Sequence, residues 1–142
     1  MIRRGSRILG IDLGTKWVGL AIADREVKIA TGFEVIEYKG RTKFIEGLKE
    51  IVESEDISLI VLGLPLNMDG SEGKKALEAR NTAELIKASI PVDLELIDER
   101  LTTVEATKEL HRAEGKVGRS RKKLNMMAAM IILQDYLDSL RV

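Results

Sequence analysis

The chain has 142 residues, enough for one domain of ordinary size with a real core and no need of disulfides or a structural metal. Its 23 basic and 23 acidic residues balance, so a nucleic-acid partner has to be argued from local patches and not from overall charge. Without cysteine, disulfide frameworks, thiolate zinc sites and cysteine nucleophiles are all excluded.

Residues 6–13, 17–23 and 27–37 read as three consecutive strands, and their short links make them an antiparallel meander. The first, Ile8-Leu9-Gly10-Ile11-Asp12, drives an apolar strand into an acid and then turns on Gly14-Thr15-Lys16. A carboxylate there suits a metal ion or a phosphate contact better than a core. The third strand contains Gly32, read as a bulge or bend. A helix is expected over 42–54, with Phe44, Leu48, Ile51 and Val52 on one face. Ser58-Leu59-Ile60-Val61-Leu62-Gly63 is a continuous apolar run, as in a strand buried on both faces, and it ends in a loop from Leu64 to Ser71.

Ala76, Ala79, Ala83, Ile86 and Ile90 then form an amphipathic stripe on a helix over 72–89, stopped by Pro91. Residues 92–97 alternate as a strand that delivers Asp98-Glu99-Arg100. Thr102 with Glu105 is a capping box, so a helix is expected to run on to about residue 113. The basic, glycine-bearing stretch 114–123 reads as a loop. The last helix, 120–140, is apolar on too many sides to be a surface helix and is expected to lie against the sheet.

This order is mixed α/β: a five-stranded sheet made of an antiparallel three-strand meander plus two parallel strands, with helices on both faces, in one domain spanning 1–142. No signal-like apolar core follows the basic N-terminus and no run approaches the roughly 18 residues of a membrane span, so a cytoplasmic protein with no membrane partner is expected. Ligands gather at the carboxyl ends of parallel strands. Asp12, the Gly63 loop and Glu99 all follow or end such strands. Carboxylates arriving from separate elements are what Mg²⁺ or Mn²⁺ requires, and such ions can activate water for phosphodiester hydrolysis. Each acid alone reads equally well as a solvated strand end; together, in this strand order, they point to a site.

Four segments occur in order: Gly10-Ile11-Asp12-Leu13-Gly14-Thr15-Lys16, Val61 to Gly73, Ile97 to Ala106, and Ala128 to Leu137. With them the chain closely resembles the YqgF/RuvX family of RNase H-like proteins, and the resemblance covers nearly its whole length. It implies an RNase H-like fold and a metal-dependent nuclease that processes the 5′ end of precursor 16S ribosomal RNA. Branched DNA, cut by a Holliday junction resolvase, is the alternative substrate. Structured RNA or branched DNA, and ribosomal particles, are the implied partners, for a monomer or a homodimer.

By the same resemblance Asp12 and Glu99 are metal-binding catalytic carboxylates. Gly63, Pro65, Asn67, Asp69 and Gly70 line the substrate groove, although turn residues alone would look the same. Thr15 and Lys16 on the hairpin are further substrate contacts. Arg100 is expected either on phosphate or paired with Asp98, and Thr102 is expected to cap a helix. The chain departs from the family at the third carboxylate: Lys122-Lys123-Leu124-Asn125-Met126-Met127-Ala128-Ala129 puts Asn125 where an aspartate is usual. An amide can offer a carbonyl oxygen to a metal, but brings no charge and cannot act as a base. Asn125 is therefore expected to be a weakened third catalytic and metal position. Asp135 and Asp138 lie too far along the helix to replace it.

The basic stretch Arg112, Lys116, Arg119, Arg121, Lys122 and Lys123, with the single acid Glu114, is expected to track a phosphate backbone, aided by Arg3, Arg4 and Arg7. His111 is expected to be exposed and uninvolved. Two rival readings stand beside the nuclease. One is the actin, Hsp70 and sugar-kinase ATPase hairpin, which needs a second phosphate-binding domain for which 142 residues leave no room. The other is a nucleic-acid-binding ribosome-assembly factor, catalytically weakened at Asn125.

Overall fold

Alternating apolar residues carry the first three strands, β1 (Arg7–Leu13), β2 (Trp17–Asp24) and β3 (Thr31–Glu37), before the first helix, α1 (Arg41–Ser54). The apolar run forms β4 (Ile57–Leu64), followed by α2 (Lys74–Ser89), β5 (Asp93–Asp98) and the long terminal helix α3 (Arg119–Ser139). The structure is a computed structural model that describes residues 7–99 and 119–140, the side chains of 119–121 excepted. The expected helix over 102–113, Arg100, Thr102, His111, Arg112, Lys116, Arg3 and Arg4 lie outside the described residues.

The five strands form one sheet in the order β3-β2-β1-β4-β5. The β1–β2 and β2–β3 pairs are antiparallel, whereas β1–β4 and β4–β5 are parallel. This is the mixed sheet expected from the order of elements. A strand buried on both faces reads as a continuous apolar run, and β4 shows it: six of its eight residues in a row, Leu59 to Leu64, are buried.

Side chains alternate across a strand, so the sheet has two different faces. Leu9, Ile11, Val18, Leu20, Ile60 and Leu62 point to α1 and α2, meeting Phe44, Leu48, Val52, Ala83 and Ile86. Ile8, Ala21, Ala23, Leu59 and Val61 point the other way and pack with Ala128, Ala129, Ile132, Leu133 and Leu137 of α3. The predicted stripes on α1 and α2 are thus the buried ones, with Ile51 only half-buried, and α3 lies flat on the sheet across β1, β2 and β3.

Two expectations about local structure are corrected. Residues 27–30 are not strand. Asp24 closes a turn, its carboxylate accepting from Glu26 N–H and its carbonyl from Lys28 N–H, and Lys28 has φ 60°. The main-chain groups that a longer β3 would have used go instead to Gln134 of α3, which accepts from Ala30 N–H at 2.9 Å and donates to Lys28 C=O at 3.3 Å. The irregularity foreseen near Gly32 is real: Leu20 pairs with Glu34 and Ala21 with Gly32, so Phe33 is passed over. The second correction concerns 120–123, where the expected loop, 114–123, and the expected last helix, 120–140, overlapped: these residues are helical, and α3 starts at Arg119.

Candidate active site

Asp12 shares its parity on β1 with Ile8, which packs into the α3 layer, and with Gly10, where a Cβ would meet Leu133 Cβ at 2.8 Å. Its carboxylate therefore faces α3, and it is 1% exposed. Its antiparallel partner on β2 is Gly19. On the parallel side the last pair is Ile11 with Leu62, so Asp12 and Gly63 each lie one residue beyond it. Asp12 is thereby flanked by a glycine on each neighbouring strand, roughly 5 Å to either side.

Those glycines make room for the other two residues. A Cβ on Gly63 would come within 2.8 Å of Glu99 Oε1, so the Glu99 carboxylate lies over bare backbone beside Asp12. Glu99 is 2% exposed and follows directly on β5. A Cβ on Gly19 would collide with the Asn125 carbonyl, so α3 at Asn125 rests on the β2 backbone. Across the sheet the order is Glu99, Asp12, Asn125, each from a different element.

Asn125 also grips the hairpin. Its side-chain nitrogen lies 3.3 Å from the Trp17 carbonyl oxygen, 108 positions earlier in the sequence. A carbonyl only accepts, so this contact identifies the NH₂ end of the amide and directs Oδ1 elsewhere. Trp17 C=O also accepts from Gly14 N–H at 3.0 Å, and Lys16 C=O accepts from Tyr38 N–H at 2.8 Å. The turn carrying Thr15 and Lys16, both exposed, is held at three points.

Around that turn two lysines converge on one ring. Lys16 Nζ is 5.4 Å and Lys122 Nζ 4.3 Å from the centre of the Trp17 indole. Lys123, next on α3, is exposed. The side chains of Arg119 and Arg121 are not described.

The loop after β4 is more self-contained. Asn67 Nδ2 donates to Ser71 Oγ, and Asp69 Oδ1 accepts from both the N–H and the hydroxyl of Ser71, at 2.9 and 2.6 Å. Gly70 N–H donates to Asn67 C=O, with Gly70 at φ 90°, a conformation that favours glycine. Asn67 and Asp69 therefore spend these atoms on shaping the turn. Pro65 is half-buried behind them.

Asp12, Glu99 and Asn125 come together on one face, with Lys16 and Lys122 beside them. Asp135, whose carboxyl is pushed up by burial and then by the charge of Asp138, lies further along α3. Trp17 and Gly19 were missed in the sequence. Interior strand glycines signal close backbone approach, and that signal was available at Gly19. Nothing local marks Trp17 as a meeting point, because Lys122, the nearer of its two lysines, is distant in the chain.

A family model described as RuvX, Holliday junction resolvase, matches residues 6–139. A protein of Dictyoglomus thermophilum named "Putative pre-16S rRNA nuclease" is 47% identical over 135 residues, covering 94% of this chain and 96% of that one. One of the same name from Clostridioides difficile is 41% identical over 132 residues, covering 93% and 94%. Thermus thermophilus RuvC, solved in complex with a Holliday junction substrate, has a TM-score of 0.60 at 14% identity with 94% of each chain covered, and so shares the RNase H-like fold. With the match running through both carboxylates and the terminal helix, the chain belongs to the RuvX family.

Proposed function

We propose that this protein is a metal-dependent nuclease that hydrolyses phosphodiester bonds in structured RNA, acting on the 5′ end of precursor 16S ribosomal RNA. The observation that carries this reading is the pair of almost wholly buried carboxylates, Asp12 and Glu99, set side by side against bare backbone at the carboxyl ends of the parallel strands. The identity of 47% to a relative named for that activity supports the choice of substrate. The whole span works as a single nuclease domain, in the cytoplasm where ribosomal RNA matures. Among the described residues no helix is long and apolar enough to cross a membrane.

The residues present fit a hard divalent cation, Mg²⁺ or Mn²⁺. Asp12 and Glu99 would hold it as oxygen donors, and the Asn125 amide oxygen is a neutral third donor. Such a cation supplies an activated water and charge neutralisation at the phosphate. Among the described residues no group of three acidic, histidine or cysteine side chains gathers anywhere, and Asn125 brings no charge at the position where an aspartate is usual. The protein's own contribution is to fix the two carboxylates rigidly, to exclude bulk water from them, and to offer the hairpin and the Gly63–Gly70 loop as walls for the strand.

The test is cleavage of precursor 16S RNA and of a four-way DNA junction by the full chain with Mn²⁺, Mg²⁺ or chelator. RNA cleavage with metal, reduced at least about a hundredfold in Asp12→Ala, is the expected result. Preferential cutting of the junction by a symmetric dimer would move the assignment to resolution, which needs two sites. The donor role of Asn125 favours one further reading, a nucleic-acid-binding assembly factor of low catalytic power. An inert wild type with an active Asn125→Asp variant would establish it.

A further inference from the structure

Lys16 and Lys122 come from opposite ends of the chain, yet both ammonium groups are brought to the same indole. Like charges on one ring repel, and among the described residues neither lysine has a carboxylate partner. The scaffold beneath them is fixed. Trp17 C=O is bonded by Gly14 and Asn125, and Lys16 C=O by Tyr38, so the main chain of the turn is anchored at three points while both lysines are exposed. Lys122 and Asn125 are three apart on α3 and share the helix face that looks at the hairpin. Among the described residues the arrangement is a pair of cations without a counter-ion, on the hairpin that follows Asp12.

We infer that Lys16, Trp17 and Lys122 form a single phosphate seat, in which the two ammonium groups clasp one backbone phosphate of the nucleic-acid strand and the indole fixes the distance between them. This rests on the nuclease reading for its ligand and adds a subsite to it. The indole holds the lysines through its negative face, so Trp17 is a positioning residue here. The seat belongs to this chain's own combination of side chains and binds by charge, without reading sequence.

Trp17 is the only tryptophan, so its fluorescence reports on the seat directly. The full chain in chelator, where no cleavage interferes, is titrated at several salt concentrations with a structured RNA carrying a single-stranded 5′ flank. Binding should change Trp17 emission. Lys16→Ala and Lys122→Ala should each weaken binding about three- to tenfold and lower the log–log salt slope by only part of a unit, since the other lysine stays on the phosphate. Because both lysines serve one phosphate, the double variant should lower the slope by about one. Lys122→Arg should keep affinity, and Trp17→Leu, followed through the anisotropy of a dye-labelled RNA because it lacks the fluorophore, should weaken binding while leaving both charges in place.

A double variant that loses about two units of slope would mean two separate phosphates and overturn the shared seat. So would unchanged emission on binding, unaltered slopes in the single variants, or an equal emission change with polyglutamate, which would indicate an acidic protein partner. Lys87→Ala, on α2, is the control and should leave the slope alone. The outcomes separate the two proposals. Slopes that respond as described without any metal-dependent cleavage would remove the nuclease and keep the seat, whereas cleavage with indifferent lysines would do the reverse.

Discussion

The Asn125 carboxamide donates a hydrogen bond to the Trp17 carbonyl, a role that an ionised aspartate cannot fill. In Asn125→Asp two electron-rich oxygens would face each other where a hydrogen bond stood. Losing that bond costs about 1 kcal/mol, with repulsion added. The metal-free variant should therefore melt about 3–6 °C below the wild type, and Mn²⁺ should restore the difference by drawing the carboxylate toward Asp12. Thermal unfolding in chelator and in Mn²⁺ measures this; equal melting points in chelator would refute the latch. The same variant should bind Mn²⁺ about tenfold more tightly by calorimetry, since it regains a charged ligand. At this scale the sequence displayed Asp12, Glu99 and the substitution at Asn125, each on a recognisable segment. It did not display what Asn125 does instead, because a hydrogen bond across 108 positions has no local signature.

At the scale of elements, α3 holds β2 by an amide near each end. Asn125 takes the β1–β2 turn, and Gln134, nine residues or roughly 14 Å along the helix, takes the β2–β3 connection. Gln134 acts toward Ala30 and Lys28 as a neighbouring strand would, accepting from one N–H and donating to one C=O. Gln134→Ala should lower stability by about 1–2 kcal/mol, leaving a part-buried N–H unsatisfied, as read from the midpoint of urea unfolding. Gln134→Glu keeps the acceptor and should lose less. This pairing explains why residues 27–30 were misread as strand: their composition suits a ladder, but the ladder partner is a side chain on a helix. The stripes on α1 and α2 were legible because periodicity is a property of neighbours. The start of α3 was legible to within one residue through its continuity with Leu124 onward, although its basic first turns lack an apolar period and also read as loop.

For the whole molecule, the order of elements was enough to give the mixed sheet, and the four segments were enough to give the family. The division of the sheet into a face packed by α1 and α2 and a face that carries Asp12 beneath α3 was not legible, since both faces draw on the same strands. That division has measurable results. Leu62→Ala, on the α1–α2 face, should cost about 2–5 kcal/mol while leaving Asp12-dependent cleavage of the surviving folded protein near normal. Gly63→Ala changes one methyl group, yet its Cβ would meet Glu99 Oε1 at 2.8 Å and Ile132 Cδ1 at 2.7 Å. It should cut activity at least tenfold with a smaller loss of stability than Leu62→Ala, as unfolding and cleavage assays on the pair would reveal. A reversed order would mean that the carboxylates tolerate displacement.

The glycines beneath Asn125 and Glu99 have a consequence for how this protein can change over generations. The α1–α2 face can drift, since one enlarged side chain can be matched by a smaller neighbour. Around the site the other face has little such exchange to offer, because Gly19 and Gly63 already carry the smallest side group and, apart from Ile132 Cδ1, meet main chain or the site itself. Descendants of this chain can rewrite one half of their interior while the spacing of their acidic residues is inherited from the peptide backbone.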